Sequence, residues 1–367
     1  MECWQGALED LDVNPGFWRG RRVFITGHTG FKGGWLSLWL QTLGAKVTGY
    51  SLPAPTAPSF FEIAGIAKGM NSVTGDVRDL ATLKAMAMQA VPEITIHMAA
   101  QSLVRLSYDD PVTTYGTNVM GTVNVLEATR SVPGLKAVLV VTSDKCYENT
   151  GARESYRETD RLGGHDPYSN SKACAELVTV AYRGSFFANK IGAAGVASVR
   201  AGNVIGGGDW AVDRLIPDAI RAFGARQPLK LRYPQATRPW QHVLDPLSGY
   251  LSLAERLCSD ASGYSEPWNF GPAQGRVMTV AEVAGAMADK WGGGAAWESE
   301  EAASPHEARY LGVDSGKAQA RLGWKPRLDV AQAIDWTVEW YRAWRDGADM
   351  RHFSESQLQR YHDLAKA

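Results

Sequence analysis

Three features of the chain predict an α/β fold: a Rossmann-type doubly wound parallel sheet, followed by a smaller mixed α/β C-terminal substrate domain. A glycine-rich turn joins a short apolar strand to a helix near the start of the chain. Apolar β-branched runs then alternate with helical patterns from about residue 21 to 200, the pattern of a parallel sheet with right-handed crossovers. Beyond Arg200 the texture changes to glycine-rich loops and shorter elements.

Val23-Phe24-Ile25-Thr26 is the first buried-strand run, and Gly27-His28-Thr29-Gly30-Phe31-Lys32-Gly33-Gly34 leads from it into a helix at Trp35–Leu40. Glycines at 27, 30 and 33 allow a tight turn, a close backbone approach to a diphosphate, and close packing of helix on strand. The helix N-terminus offers free N–H groups to phosphate. Gly27, His28, Thr29, Gly30, Phe31, Lys32 and Gly33 are therefore read as a dinucleotide-binding loop. The second strand, Lys46–Tyr50, ends in Ser51-Leu52-Pro53, with no carboxylate for the adenine ribose. His28 and Lys32 can strengthen phosphate binding or accept the extra phosphate of NADP, so the residues leave NAD and NADP both open. Asp76-Val77 follows the strand Ser72–Thr74 as an adenine contact, or as a helix cap with Asp79 nearby. Ala99-Ala100-Gln101, past the strand Ile94–His97, is small enough to let the diphosphate cross the sheet.

Val138–Val141 is a further buried strand, which puts Ser143, Asp144 and Lys145 at its carboxyl end, where open α/β sheets bind ligands. Tyr168 and Lys172 share one face of the helix that opens at Tyr168-Ser169-Asn170-Ser171-Lys172. A nearby ammonium brings a phenol's pKa toward the working range, so a hydroxyl–Tyr–Lys trio suits removal of an alcohol proton while a nicotinamide takes the hydride. Asp144 and Lys145 add an acid and a base beside it. A surface Tyr and Lys on an amphipathic helix would show the same spacing. The strand–loop–helix context favours the chemical reading.

Gly195–Arg200 closes the first run of strands. A helix over Leu215–Phe223, a strand over Leu229–Arg232, a helix from Pro246 to about Leu257 and a Trp-rich helix from Ala331 to about Trp344 follow. Residues 1–200 form the nucleotide domain, with 238–258 returning to it, and 201–237 with 259–367 form mainly the substrate domain. Most of the 13 tryptophans fit a core, while Trp210 and Trp240 stand beside polar loops as candidate walls of a sugar or base pocket.

A formal charge of −1, with 21% charged and 45% hydrophobic residues, describes a soluble globular protein without the basic footprint of a nucleic-acid binder. No apolar stretch approaches the roughly 20 residues that span a bilayer, and Glu2, Glu9, Asp10 and Asp12 argue against a secretion signal. Four scattered cysteines show neither metal spacing nor a disulfide framework and fit a reducing cytoplasm. No metal site is expected, and Cys146 reads as a small packing residue rather than a nucleophile.

These residues together resemble the extended short-chain dehydrogenase/reductases, and within them the nucleotide-sugar 4,6-dehydratases that act on CDP-glucose. The marks are Thr26–Gly33, His97–Gln101, Thr142–Tyr147 and Asp166–Lys172, then Arg200–Trp210, Arg238–Val243 and Asn269–Pro272. Asp144-Lys145 stands where the dTDP-glucose dehydratases carry Asp-Glu. The resemblance implies NAD as cofactor and conversion of CDP-glucose to CDP-4-keto-6-deoxyglucose, an early step toward dideoxy sugars of surface polysaccharides. It implies that Tyr168, poised by Lys172, takes the C-4 hydroxyl proton, that Ser143 binds the same oxygen, and that Asp144 is the acid on the C-6 oxygen. Lys145 is then the base at C-5, or else an ion-pair partner of Asp144 or Glu148. Arg238 and Arg309 are implied diphosphate ligands, Asn203 and Asn269 phosphate or sugar ligands, and Arg105 a contact to the glucosyl ring. A homodimer or dimer of dimers is implied, paired through helices around Asn118–Arg130 and Tyr168–Phe186. The rival readings are a 4-epimerase, which has no use for an acid–base pair at 144–145, a dehydratase of another nucleotide sugar, and a non-catalytic NAD sensor.

Overall fold

The computed structural model describes residues 13–151, 155–188, 192–272, 278–300 and 311–365. Seven parallel strands form the central sheet, in the spatial order Pro267–Asn269, Gly195–Arg200, Ala137–Val141, Ile94–His97, Arg22–Thr26, Lys46–Ser51, Asn71–Thr74. Strands 94–97, 137–141 and 195–200 are buried along their whole length, which is why they read as unbroken apolar or small-residue runs. The order reverses direction between strands 22–26 and 94–97, and the glycine loop sits at that switch point.

Two features lie outside the expected layout. Pro267–Asn269 pairs in parallel with Ser198–Arg200 as the sheet's edge strand, although it falls within the stretch assigned mainly to the substrate domain. Proline can occupy such an edge because it withholds no ladder hydrogen bond from the interior. A terminal helix, Met350–Asp363, follows the expected Trp-rich one, which spans Val330–Arg345. It packs back on the nucleotide domain, where Trp39 of the helix Phe31–Thr42 stacks edge-on against Tyr361 and donates to His362 Nε2 at 3.1 Å.

The substrate lobe comprises the helices Leu215–Gly224 and Val280–Trp291 and the short parallel pair Leu229–Leu231 with Trp297–Ser299. The helix Val330–Arg345 ties it to the sheet domain, since Tyr341 donates to the Asp209 carbonyl and Trp340 packs near Phe60. Among the described residues no helix is long and apolar enough to cross a membrane.

Candidate active site

The helix Phe31–Thr42 starts hard against the first strand. Gly27 has φ +78°, and a Cβ there would lie 2.6 Å from the Ala99 nitrogen; one at Gly33 would overlap the Gly27 carbonyl. A Cβ on Gly30, the helix N-cap, would meet only the Gly27 carbonyl, at an ordinary 3.5 Å, and no side chain caps the first helical N–H groups. This is a cradle that backbone alone lines, and it fits a dinucleotide diphosphate. Gln101, beyond the fourth strand, is pinned there: its backbone N–H donates to Asn118 Oδ1 at 2.9 Å, and Asn118 in turn donates to Ser171 Oγ on the Tyr168 helix at 2.8 Å.

The two cationic candidates of the loop face different surroundings. His28 is buried, its Nε2 paired with Ser72 Oγ at 2.7 Å and its ring edge-on to Phe61, and burial lowers its pKa to about 4. It is neutral and brings no charge to phosphate. Lys32 turns from the first helical turn into the main cavity. Burial, aided by the charge of Arg214, lowers its pKa to about 8, with Asp144 and Asp209 opposing. Thr29 Oγ1 is paired with Ser51 Oγ and the Leu52 carbonyl, so it shapes the loop. Asp79, not Asp76, caps the next helix, while Asp76 is held by Arg78 at 2.6 Å.

Ser143, Asp144, Lys145 and Tyr168 together line a cavity of about 360 Å³ between the sheet's carboxyl end and the substrate lobe. Ser143 donates to Asp144 Oδ1 at 2.9 Å and accepts from the Lys145 backbone N–H at 3.2 Å, which fixes a single turn of 3₁₀ helix after the fifth strand. Asp144 is 2% exposed, and its Oδ2 has no hydrogen-bond partner. Burial pushes its carboxyl up from the ordinary value, against Lys145, Ser143, Lys32 and Arg238. That upward direction is the one a carboxyl proton donor needs. Lys145 reaches the cavity, and among the described residues it forms no ion pair with Asp144 or Glu148; Glu148 is taken by Arg161 at 3.3 Å.

Tyr168 opens the helix Pro167–Tyr182, with Asp166 as its cap and Ser107 Oγ accepting from the Tyr168 backbone N–H at 3.1 Å. Lys172 lies one turn on, almost fully buried, and donates to the Val141 carbonyl at 3.2 Å. The expected lowering of the Tyr168 pKa by Lys172 is not what the side chains produce. Burial raises the phenol to about 12, with a Ser143 hydrogen bond opposing. Burial, with Lys32 adding to it, lowers Lys172 to about 7. Desolvation is the largest cause of both shifts.

Beneath the site lies a buried ion pair. Arg200 Nε and Nη2 donate to the two Glu176 oxygens at 2.9 and 2.8 Å, and Thr142 and Ser198 hydroxyls donate to the same carboxylate at 2.5 and 2.6 Å. Burial opposes ionisation of Glu176, but these bonds and the Arg200 charge hold its carboxyl below the usual range. Arg200 continues to Tyr147, which donates to Asn269 Oδ1 at 2.7 Å. Asn269 Nδ2 goes to the Tyr156 and Asp314 carbonyls. Asn269 is thus fully buried and fully used, and it does not line the cavity. The substrate contact expected of it is corrected to a structural one.

Asn203, Arg105 and Arg238 do line the cavity, whereas Arg309 lies outside the described residues. Arg238 is 6% exposed and donates to the Thr237 carbonyl at 2.9 Å. Arg105 and Arg232 both pair with Asp213 at 3.3 Å, across the cavity mouth. Arg214 pairs with Asp209 at 2.9 Å and donates to Ser102 Oγ at 2.9 Å. Sequence reading missed Arg214 and Arg232; their signal was an arginine opening the helix after the glycine loop and another ending the strand 229–231. Of the two candidate tryptophans, Trp240 lines the cavity, and Trp210 packs away from it on Tyr341 and Trp344. Cys146 is buried and burial raises its thiol pKa well above the ordinary value, so it is no nucleophile.

A switch-point glycine cradle, a Ser–Tyr–Lys set and a buried carboxyl next to a lysine are the features of a short-chain dehydrogenase/reductase. The chain belongs to the family described as GDP-mannose 4,6 dehydratase, whose model matches residues 24–337. It is 51% identical over 352 residues to the CDP-glucose 4,6-dehydratase of Salmonella typhimurium, covering 95% of this chain and 98% of that one. A dTDP-glucose 4,6-dehydratase of Streptomyces griseus is 31% identical over 283 residues, 74% of this chain and 78% of its own. Among solved structures, the dTDP-glucose 4,6-dehydratase of Streptomyces venezuelae with NAD bound superposes with a TM-score of 0.74 at 25% identity, covering 89% of this chain and 98% of that one. An epimerase of Methanothermobacter thermautotrophicus shares the fold, with a TM-score of 0.78 at 21% identity over 95% and 99% of the two chains.

Proposed function

We propose that this chain is an NAD-dependent CDP-glucose 4,6-dehydratase. The observation that carries the reading is Asp144, a buried carboxyl with raised pKa set beside Lys145 in the Ser143–Tyr168 cavity. A simple 4-epimerase has no step that needs it. The 51% identity to a CDP-glucose dehydratase across nearly the whole chain supports the choice of base.

NAD, when bound, supplies the hydride acceptor for C-4 and the donor for C-6. Around it, Tyr168 accepts the C-4 hydroxyl proton and Ser143 holds that oxygen by hydrogen bond. Burial disfavours the Tyr168 phenolate, so for Tyr168 to work near neutral pH it needs positive charge beside it, which Lys172 and a nicotinamide held in the cradle would supply. Once C-4 is a ketone the C-5 proton is acidified. Lys145 takes it, and Asp144 gives its proton to the leaving C-6 hydroxyl. Lys145 then returns its proton to C-5, and Asp144 regains a proton from solvent as Tyr168 gives one up. Arg238, Arg214, Arg105 and Arg232 offer guanidinium groups to the substrate diphosphate and base.

Pairing of two copies is part of the proposal. Met120, Leu177, Val180 and Phe186 are exposed large apolar side chains within Asn118–Arg130 and Tyr168–Phe186, the stretches expected to pair.

Purified protein with NAD should be offered CDP-glucose, dTDP-glucose, UDP-glucose and GDP-mannose in parallel, with product mass as the readout. Loss of one water from CDP-glucose alone is the expected result. Turnover of another sugar in preference would replace the base assignment, and an isomeric product of unchanged mass would make the protein an epimerase.

A further inference from the structure

We infer that Gly202 is a positioning residue for Asp144: by lacking a side chain it leaves the space that the carboxyl occupies, and it thereby decides whether this residue can serve as an acid. The inference rests on the reading of Asp144 as the proton donor to the C-6 oxygen.

A Cβ built on Gly202 would overlap the Asp144 carboxyl carbon and Oδ2 outright and would stand 2.9 Å from Oδ1. Gly202 does not have the left-handed backbone that favours glycine, so its conformation does not require one. Space does. The backbone there cannot retreat, because Gln241 Nε2 donates to the Gly202 carbonyl at 3.1 Å and to the Phe270 carbonyl at 2.9 Å, and Gln241 is itself buried. On its other side Asp144 is fixed by Ser143. The carboxyl is thus clamped between a rigid glycine and the turn that carries it, with Oδ2 left unpartnered.

The charged and titratable groups facing Asp144 come from several elements. Lys145 and Cys146 stand on its own turn, Lys32 on the glycine-loop helix, Arg238 ahead of Gln241, Tyr168 on its helix and Tyr250 on the helix Leu244–Ser259. Three of the six are cations, and they favour a carboxylate. Burial opposes them and sets the upward direction, and the contact with Gly202 is part of what keeps the carboxyl buried. A side chain at 202 would push it toward the cavity, water and Lys145, where it would ionise.

The test is a thermodynamic cycle together with a pH profile. Gly202→Ala should lower the melting temperature, and the same substitution in an Asp144→Ala background, where the space has been vacated, should lower it much less. Equal losses in the two backgrounds would overturn the steric argument without involving catalysis. In the Asp144-containing protein, Gly202→Ala should reduce kcat on the order of 100-fold, the range of a lost general acid, with KM changed little. What activity remains should lose its high-pH limb at lower pH than the parent does. A Gly202→Ala enzyme with parental kcat and pH profile would sink the inference. If Asp144→Asn itself turns over normally, the failure lies with the acid assignment.

Discussion

Glu176→Gln keeps the volume of the side chain and removes the charge beneath the Ser143–Lys145 turn. Glu176 and Arg200 are 0% and 2% exposed, so neither group has water to fall back on. Glutamine leaves the Arg200 guanidinium buried without a counter-charge, and breaking such a pair from one side costs about 3–5 kcal/mol. Arg200 retains its bond to the Tyr147 hydroxyl at 2.8 Å, which argues for the lower end, about 3 kcal/mol. Typical folds hold only about 5–15 kcal/mol, so this is a large share of the total. Denaturant unfolding reads it directly, as a lower midpoint at unchanged slope. The exposed pair Lys290–Asp335 is the control, and Lys290→Gln should change stability by less than about 1 kcal/mol. A Glu176→Gln loss as small as the control's would refute the claim that this pair is a buried charged unit. Turnover should fall as well, since Thr142, which donates to Glu176, precedes Ser143 directly.

Gly27→Ala combines a left-handed φ with a clash against Ala99, so about 1–3 kcal/mol of strain should appear as weaker NAD binding in a tryptophan-fluorescence titration; unchanged affinity would remove the glycine cradle from the account. Lys145→Met should still oxidise C-4, seen as reduced-nicotinamide absorbance on mixing with substrate, yet release no dehydrated product; normal product formation would take lysine out of the mechanism. Asp245 is buried, with Oδ1 accepting from the Arg327 N–H and the Tyr361 hydroxyl, and burial raises its pKa to about 7. Its folded value lies above the unfolded one, so its contribution to stability is complete below about pH 4 and is lost as pH rises to about 7. Asp245→Asn should flatten that part of the pH–stability curve, and an unchanged slope would count against a protonated Asp245.

The strands and the Ser143–Lys145 turn were legible because sheets buried on both faces leave continuous apolar runs, as at Val138–Val141, and because glycine loops punctuate them. The edge strand Pro267–Asn269 was not, since three residues beginning with proline carry no period. The helix Met350–Asp363 was missed because it buries Ser354 and Gln357 through hydrogen bonds, so its inward face does not read as apolar. Asn269 was misread for a related reason. The family resemblance of Asn269-Phe270-Gly271-Pro272 implied a ligand group, and only the folded network shows that Tyr147, Tyr156 and Asp314 engage it. Lys32 and His28 sit in one loop yet face different compartments, which no spacing rule distinguishes. The upward shift of Tyr168 depends on how burial and nearby charge balance, a sum over tertiary neighbours rather than a local signal.

The central claim is that one cavity oxidises C-4, eliminates water across C-5 and C-6, and returns the hydride to C-6. Proton NMR of the purified protein with NAD and CDP-glucose in deuterated water tests it most directly. The account predicts a new C-6 methyl signal with deuterium incorporated at C-5, because Lys145 and Asp144 exchange their protons with solvent. A galacto-configured product without a methyl group, or a methyl product that keeps its original C-5 proton, would contradict it.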